Sequence, residues 1–145
     1  NANAVVAPYN HTFELKLVRG GGEHPIHLHG TKFQLVEKMQ NASLPHTKES
    51  VRENPMRRDT VIIPNGGSVT IRFRADNPGA WIMHCHMDWH LSAGLAMLLI
   101  QAPKEAKEML KVPSYLTQQC QMQGLPVHGN AAGLRGSTTD FGPLN

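Results

Sequence analysis

An all-β sandwich or barrel is the fold this sequence predicts, and three observations carry it: short stretches with period-2 alternation of apolar residues, β-branched runs of strand length, and Gly/Pro/Asn clusters between them. Phe13-Glu14-Leu15-Lys16-Leu17 puts three apolar side chains on one face of an extended chain. Phe33 to Val36 and Val69-Thr70-Ile71-Arg72-Phe73 read the same way, Thr60 to Ile63 is a β-branched run, and Leu95 to Ile100 is apolar throughout. Turns are expected at Gly20-Gly21-Gly22, Pro64-Asn65-Gly66-Gly67 and Asp76-Asn77-Pro78-Gly79. Asn41 to Pro55 is polar, aperiodic and carries two prolines, which predicts a surface loop with His46 in solvent. At Pro103 the pattern changes: proline followed by Lys-Glu-Ala-Lys-Glu-Met-Leu predicts one short closing helix. From Gly124 onward the composition is rich in Gly, Pro, Asn and Thr and predicts an irregular tail.

Composition removes several classes of function. The chain has 145 residues and a formal charge of +3, the size of one domain. Its basic residues are scattered, as at Arg57-Arg58, Arg72 and Arg74, with no aromatic-basic stripe, so no nucleic-acid partner is expected. No apolar run reaches the 18 or so residues that a membrane span needs. Asn10-His11-Thr12 and Asn41-Ala42-Ser43 are glycosylation sequons, with Asn10 and Asn41 as candidate acceptors; they suit a secreted, extracellular or lumenal chain. The opening Asn1-Ala2-Asn3-Ala4 has neither initiator Met nor signal peptide, and is expected to be the start of a piece of a longer protein.

Chemistry concentrates in two stretches. Six of the nine histidines fall in His24-Pro25-Ile26-His27-Leu28-His29-Gly30 and His84-Cys85-His86-Met87-Asp88-Trp89-His90. Imidazole and thiolate together select soft or borderline metals such as copper and zinc. In extended chain, residues two apart share a face. His27 and His29 therefore lie together, as do His84 and His86, while Cys85 points the other way and His24 has the parity to join it. His90, five residues after Cys85, returns through a turn to complete a His₂Cys set, the ligand set of blue copper. The position ten after Cys85, where a weak axial Met could sit, is Leu95, a non-coordinating neighbour that raises the reduction potential; Met97 shares its face but is displaced along it. The four imidazoles on the other face, without a thiolate, suit copper that handles oxygen species. Cys85 and Cys120 are not expected to pair, because Cys85 is flanked by ligands.

Both motifs, HxxHxH and HCHxxxH, resemble those in the last cupredoxin domain of multicopper oxidases. The resemblance covers Tyr9 to Gln101, including Asn54-Pro55-Met56-Arg57-Arg58-Asp59 and Asp76-Asn77-Pro78-Gly79-Ala80-Trp81, which are similar to fungal laccases and fungal ferroxidases. Weaker likeness to the same branch comes from the helix and from Gly129-Asn130-Ala131-Ala132. It implies an all-β, cupredoxin-type Greek-key β-sandwich over residues 1–102, with a short C-terminal helix and irregular tail, residues 103–145, packing on the same domain. It implies type-1 copper on His24, Cys85 and His90, His27 as a type-2 ligand, and His29, His84 and His86 as type-3 ligands. Cys85 is then the way out for electrons, and Asp88 matches an acidic position that assists proton delivery.

The implied reaction is oxidation of a small reducing substrate at type-1 copper coupled to four-electron reduction of O₂ to water at a trinuclear cluster. That cluster needs eight histidines and this chain matches four, so N-terminal cupredoxin domains of the same enzyme are expected to supply the other four; His11, His46 and His128 are not spaced to do so. Cys120 is expected either to form a disulfide to such a domain or to stay a buried thiol. Phenolic substrates are the first expectation, with Trp89, Leu91 and the loop near Ile26 as pocket candidates. Fe²⁺ is the alternative: Gly20 stands where the family's ferroxidases carry Asp, though Glu23 is near. A single-domain blue-copper electron carrier is the rival from another class, and it leaves His27, His29, His84 and His86 without a role.

Overall fold

The computed structural model describes residues 3–18, 22–40, 48–49 and 53–127. Ten strands occur among them: β1 (Asn3–Ala7), β2 (Thr12–Val18), β3 (His24–Leu28), β4 (Phe33–Met39), β5 (Lys48–Glu49), β6 (Arg57–Arg58), β7 (Thr60–Ile63), β8 (Ser68–Arg74), β9 (Gly79–Cys85) and β10 (Ala96–Gln101). Three helices accompany them, α1 (Asp88–Ser92), α2 (Pro103–Met109) and α3 (Ser114–Met122). One sheet has the order β1-β10-β9-β3-β7 and the other β2-β8-β4-β5, with β6 against β4. β1 runs parallel to β10, and the other pairings are antiparallel. Successive strands β1 to β4 alternate between the sheets, so the chain repeatedly crosses the core, as the cupredoxin-type Greek-key sandwich requires.

Period-2 patterning decides which face closes the sandwich. Val69, Ile71 and Phe73 from β8 meet Ile26 and Leu28 from β3, Val61 and Ile63 from β7, and Met83 and Cys85 from β9 in one buried cluster. Phe13 of β2 stacks on Phe73 at 5.9 Å between ring centroids, and Phe33 is fully buried. Cys85 is thus part of the core.

Differences from the sequence expectations have local causes. β1 shows no alternation and exists because β10 offers a parallel partner, Ala7 opposite Gln101. Lys48–Glu49, inside the expected loop, pairs with Lys38 and Met39 of β4; residues 41–47 and 50–52, with Asn41 and His46, lie outside the described residues. The expectation of a single closing helix is corrected: a second helix, α3, follows α2 before the expected tail begins at Gly124, and that tail beyond residue 127 lies outside the described residues. Neither Gly nor Pro interrupts Ser114 to Gln123, and Gly124 at φ +67° ends the helix. There Leu125 N–H donates to the Cys120 carbonyl at 2.8 Å and Gly124 N–H to that of Gln121 at 3.0 Å, a Schellman closure. Neither α2 nor α3 has a buried residue. No helix among the described residues is long and apolar enough to cross a membrane.

Candidate metal centre

β3 and β9 are neighbours in one sheet, with Ile26 opposite Cys85, His27 opposite His84 and Leu28 opposite Met83. This register turns the parity argument into geometry. His24 and Cys85 face the core, at 2% and 0% exposure. His27 and His84 face away from it, and His86 N–H donates to the Pro25 carbonyl at 2.7 Å, carrying the pairing one residue past the strand.

On the core side, Cys85 Sγ lies 3.4 Å from His24 Nδ1 and 3.5 Å from His90 Nδ1. The three ligand atoms all lie within 4.8 Å of one another, and the two imidazoles stack at 4.4 Å. His90 arrives on α1, so the expected turn is a short helix: the Met87 carbonyl accepts the N–H groups of His90 and Leu91, each at 3.0 Å. Leu95 locks the arrangement through its backbone, its N–H donating to the His90 carbonyl (2.9 Å) and its carbonyl accepting Cys85 N–H (3.0 Å). Two imidazole nitrogens and one thiol converging without a carboxylate are a donor set that fits copper.

The outer face holds His27, His29, His84 and His86 with neighbouring ring centroids 4.7 to 6.0 Å apart. Only His29 and His84 bring ring nitrogens together, Nε2 to Nε2 at 3.2 Å, close to the roughly 3.3 Å expected for two imidazoles on one ion with metal–nitrogen bonds of about 2 Å. The others share the face without converging. Desolvation, and then the charges His27, His84 and His86 would carry, lower the His29 pKa below its ordinary 6.5, which favours the neutral ring with one nitrogen lone pair open to a metal.

Orientation on this face is set by carbonyl oxygens. His84 Nδ1–H donates to the Cys85 carbonyl at 2.9 Å and His27 Nδ1–H to that of Asp59 at 3.0 Å, which makes Nε2 the acceptor nitrogen of each ring. Asp59 and Thr60 were missed as site residues by sequence reasoning. Their only signal is the register that sets Thr60 opposite His27.

Gly30 closes the motif in the left-handed region, φ +65°, where a Cβ would fall 2.2 Å from the Trp81 ring. Asn77 ties the two, donating to the Gly30 carbonyl (2.7 Å) and accepting the Trp81 indole N–H (2.9 Å). Gly30→Ala is expected to destabilise the domain by about 2 to 5 kcal/mol through left-handed strain and overpacking, measured as a lower thermal midpoint.

The remaining candidates are dispersed. Asp88 is exposed at the start of α1, and Glu23 is exposed beside buried His24. Trp89 is 66% exposed with its ring edge-on to His90 at 5.5 Å, and Leu91 and Leu95 are exposed too. Ile26 lies not in a loop but in β3, facing the core. Asn10 is exposed in a turn, and Cys120 is a half-buried free thiol on α3, not a fully buried one. His11 is bound to the Tyr9 carbonyl, away from the site; Gly20, His128 and residues 129–132 lie outside the described residues.

A family model described as multicopper oxidase matches residues 1–105. The "Iron multicopper oxidase fer1" of Mycosarcoma maydis is 49% identical over 151 residues, covering 99% of this chain and 24% of that protein. "Laccase-2" of Fomitopsis schrenkii is 42% identical over 113 residues, 74% of this chain and 20% of its own length. The crystal structure of Fet3p, described as a multicopper oxidase that functions in iron import, superposes with a TM-score of 0.78 at 32% identity, covering 97% of this chain and 28% of that one. The chain therefore spans about a quarter of the length of the first of these relatives.

Proposed function

This chain belongs to the multicopper oxidase family, and from that premise we propose that it is the type-1 copper domain of an iron-oxidising enzyme. The proposed reaction is 4 Fe²⁺ + O₂ + 4 H⁺ → 4 Fe³⁺ + 2 H₂O. Bound copper supplies one-electron redox chemistry at His24, Cys85 and His90 and O₂ reduction on the outer face, where other domains of the same enzyme add four histidines to His27, His29, His84 and His86. What this chain contributes is the connection between the two faces. Cys85 is bonded through the backbone to His84 and His86, and the 2.9 Å hydrogen bond from His84 Nδ1–H to the Cys85 carbonyl adds a second link. Asp88, exposed three residues after Cys85, is the proposed proton donor to the oxygen side. Asn10 is the proposed glycan acceptor of a secreted enzyme.

The 49% identity over nearly the whole chain to a protein named for iron carries the choice of substrate. Glu23 supports it, an exposed carboxylate adjoining a buried type-1 ligand, where a cation can approach. Phenol oxidation is the second reading, favoured by Trp89 exposed edge-on to His90. Steady-state kinetics of the full-length enzyme on Fe²⁺ and on a phenol discriminate. Glu23→Gln should raise KM for Fe²⁺ by about tenfold, the scale of one partly screened charge contact, and leave the phenol KM unchanged. A kcat/KM higher for the phenol, with no Glu23 effect on either substrate, overturns the iron reading. An electron carrier with one copper leaves the outer four imidazoles idle, and two imidazole nitrogens 3.2 Å apart argue against that.

A further inference from the structure

Thr60 and Asp59 carry an inference that rests on the reading of His27 as a copper ligand. His27 Nδ1 lies 3.0 Å from the main-chain oxygen of Asp59 and 3.0 Å from Thr60 Oγ1. A carbonyl oxygen can only accept, so this nitrogen carries the proton. Thr60 Oγ1 accepts from the ring and donates its own hydrogen to Asp59 Oδ1 at 3.0 Å. The same carboxylate oxygen stands 3.8 Å from His27 Nδ1.

Strand pairing builds this chain of contacts. His27 faces Thr60 across β3 and β7, and the Asp59 carbonyl also accepts Leu28 N–H at 2.9 Å, which anchors it to the same strand. The Asp59 side chain borders a depression of about 300 Å³ that His27, His29, Gly30 and Lys32 also line. We propose that Thr60 and Asp59 are positioning residues: together they hold the His27 ring in one tautomer and one orientation, with Nε2 presented to the outer face. Two acceptors, one backed by a carboxylate, also make the opposite nitrogen a better donor to a metal, the action of a carboxylate behind a ligating histidine.

The test uses the full-length, copper-loaded enzyme and two readouts besides turnover: the type-2 electron paramagnetic resonance signal, and copper retained on dialysis against a chelator. Thr60→Val keeps the branched shape of the side chain and removes its hydroxyl. Its type-2 copper should be lost roughly ten- to a hundredfold more readily than in the wild type, with the blue colour of the His24–Cys85–His90 set unchanged. Thr60→Ser should restore retention, and Asp59→Asn should fall between. Thr60→Val with wild-type retention and signal overturns the proposal. So does a loss of blue colour in parallel, which marks a merely structural role. A wild-type enzyme without a type-2 signal overturns the reading of His27 itself, and with it this inference.

Discussion

Cys85→Ser in the copper-loaded, full-length enzyme is expected to abolish the blue colour and substrate oxidation together. The thiolate is the one soft ligand of the set, and its bond to copper gives such sites their absorption. Serine keeps the shape but offers a hydroxyl that does not ionise near neutral pH, so His24 and His90 remain with no anionic third donor. The fold should survive. Cys85 is fully buried among Ile26, Met83 and Leu99, but a serine hydroxyl there would find imidazole nitrogens at the 3.4 and 3.5 Å positions now facing Sγ. The cost to stability should be about 1 to 2 kcal/mol. Retained colour in Cys85→Ser would refute the ligand assignment.

His86→Ala should separate the two faces. His86 is exposed on the outer side, one residue from Cys85, and is not part of the buried core. Its removal should leave the blue colour intact and lower O₂-coupled turnover by about a thousandfold, roughly 4 kcal/mol of barrier. Mixed with reductant, the variant should bleach as the wild type does and fail to recover its colour in air. A variant that reoxidises at the wild-type rate would show that His86 has no part in oxygen chemistry, and the division into two faces would fail.

Asp59 and Thr60 show where reading along the chain stops. Asp59 is 32 residues from His27, and nothing in the linear order marks it as that histidine's partner. Only the β3–β7 pairing brings them together, and pairing partners are chosen by the whole sandwich. The same holds for β1, whose segment has no alternation and becomes a strand because β10 leaves an edge open. α3 was legible in principle, since Gly124 marks its end, but a polar segment without an apolar stripe gives no periodicity to read.

The division of labour at the metal centre follows from the same physics. Sequence alone determined the sandwich class, the two histidine motifs and the parity that splits His24 and Cys85 from His27, His84 and His86, because a strand's side chains alternate with period 2 wherever the strand lies. Tertiary structure alone decided that β3 lies beside β9 with Ile26 opposite Cys85, that α1 swings His90 to 3.5 Å from Sγ, and that His29 and His84 meet at 3.2 Å. The His29–His84 contact joins residues 55 positions apart, and that of His24 with Cys85 spans 61. They form only when the burial of both sheets' apolar faces selects one register out of many.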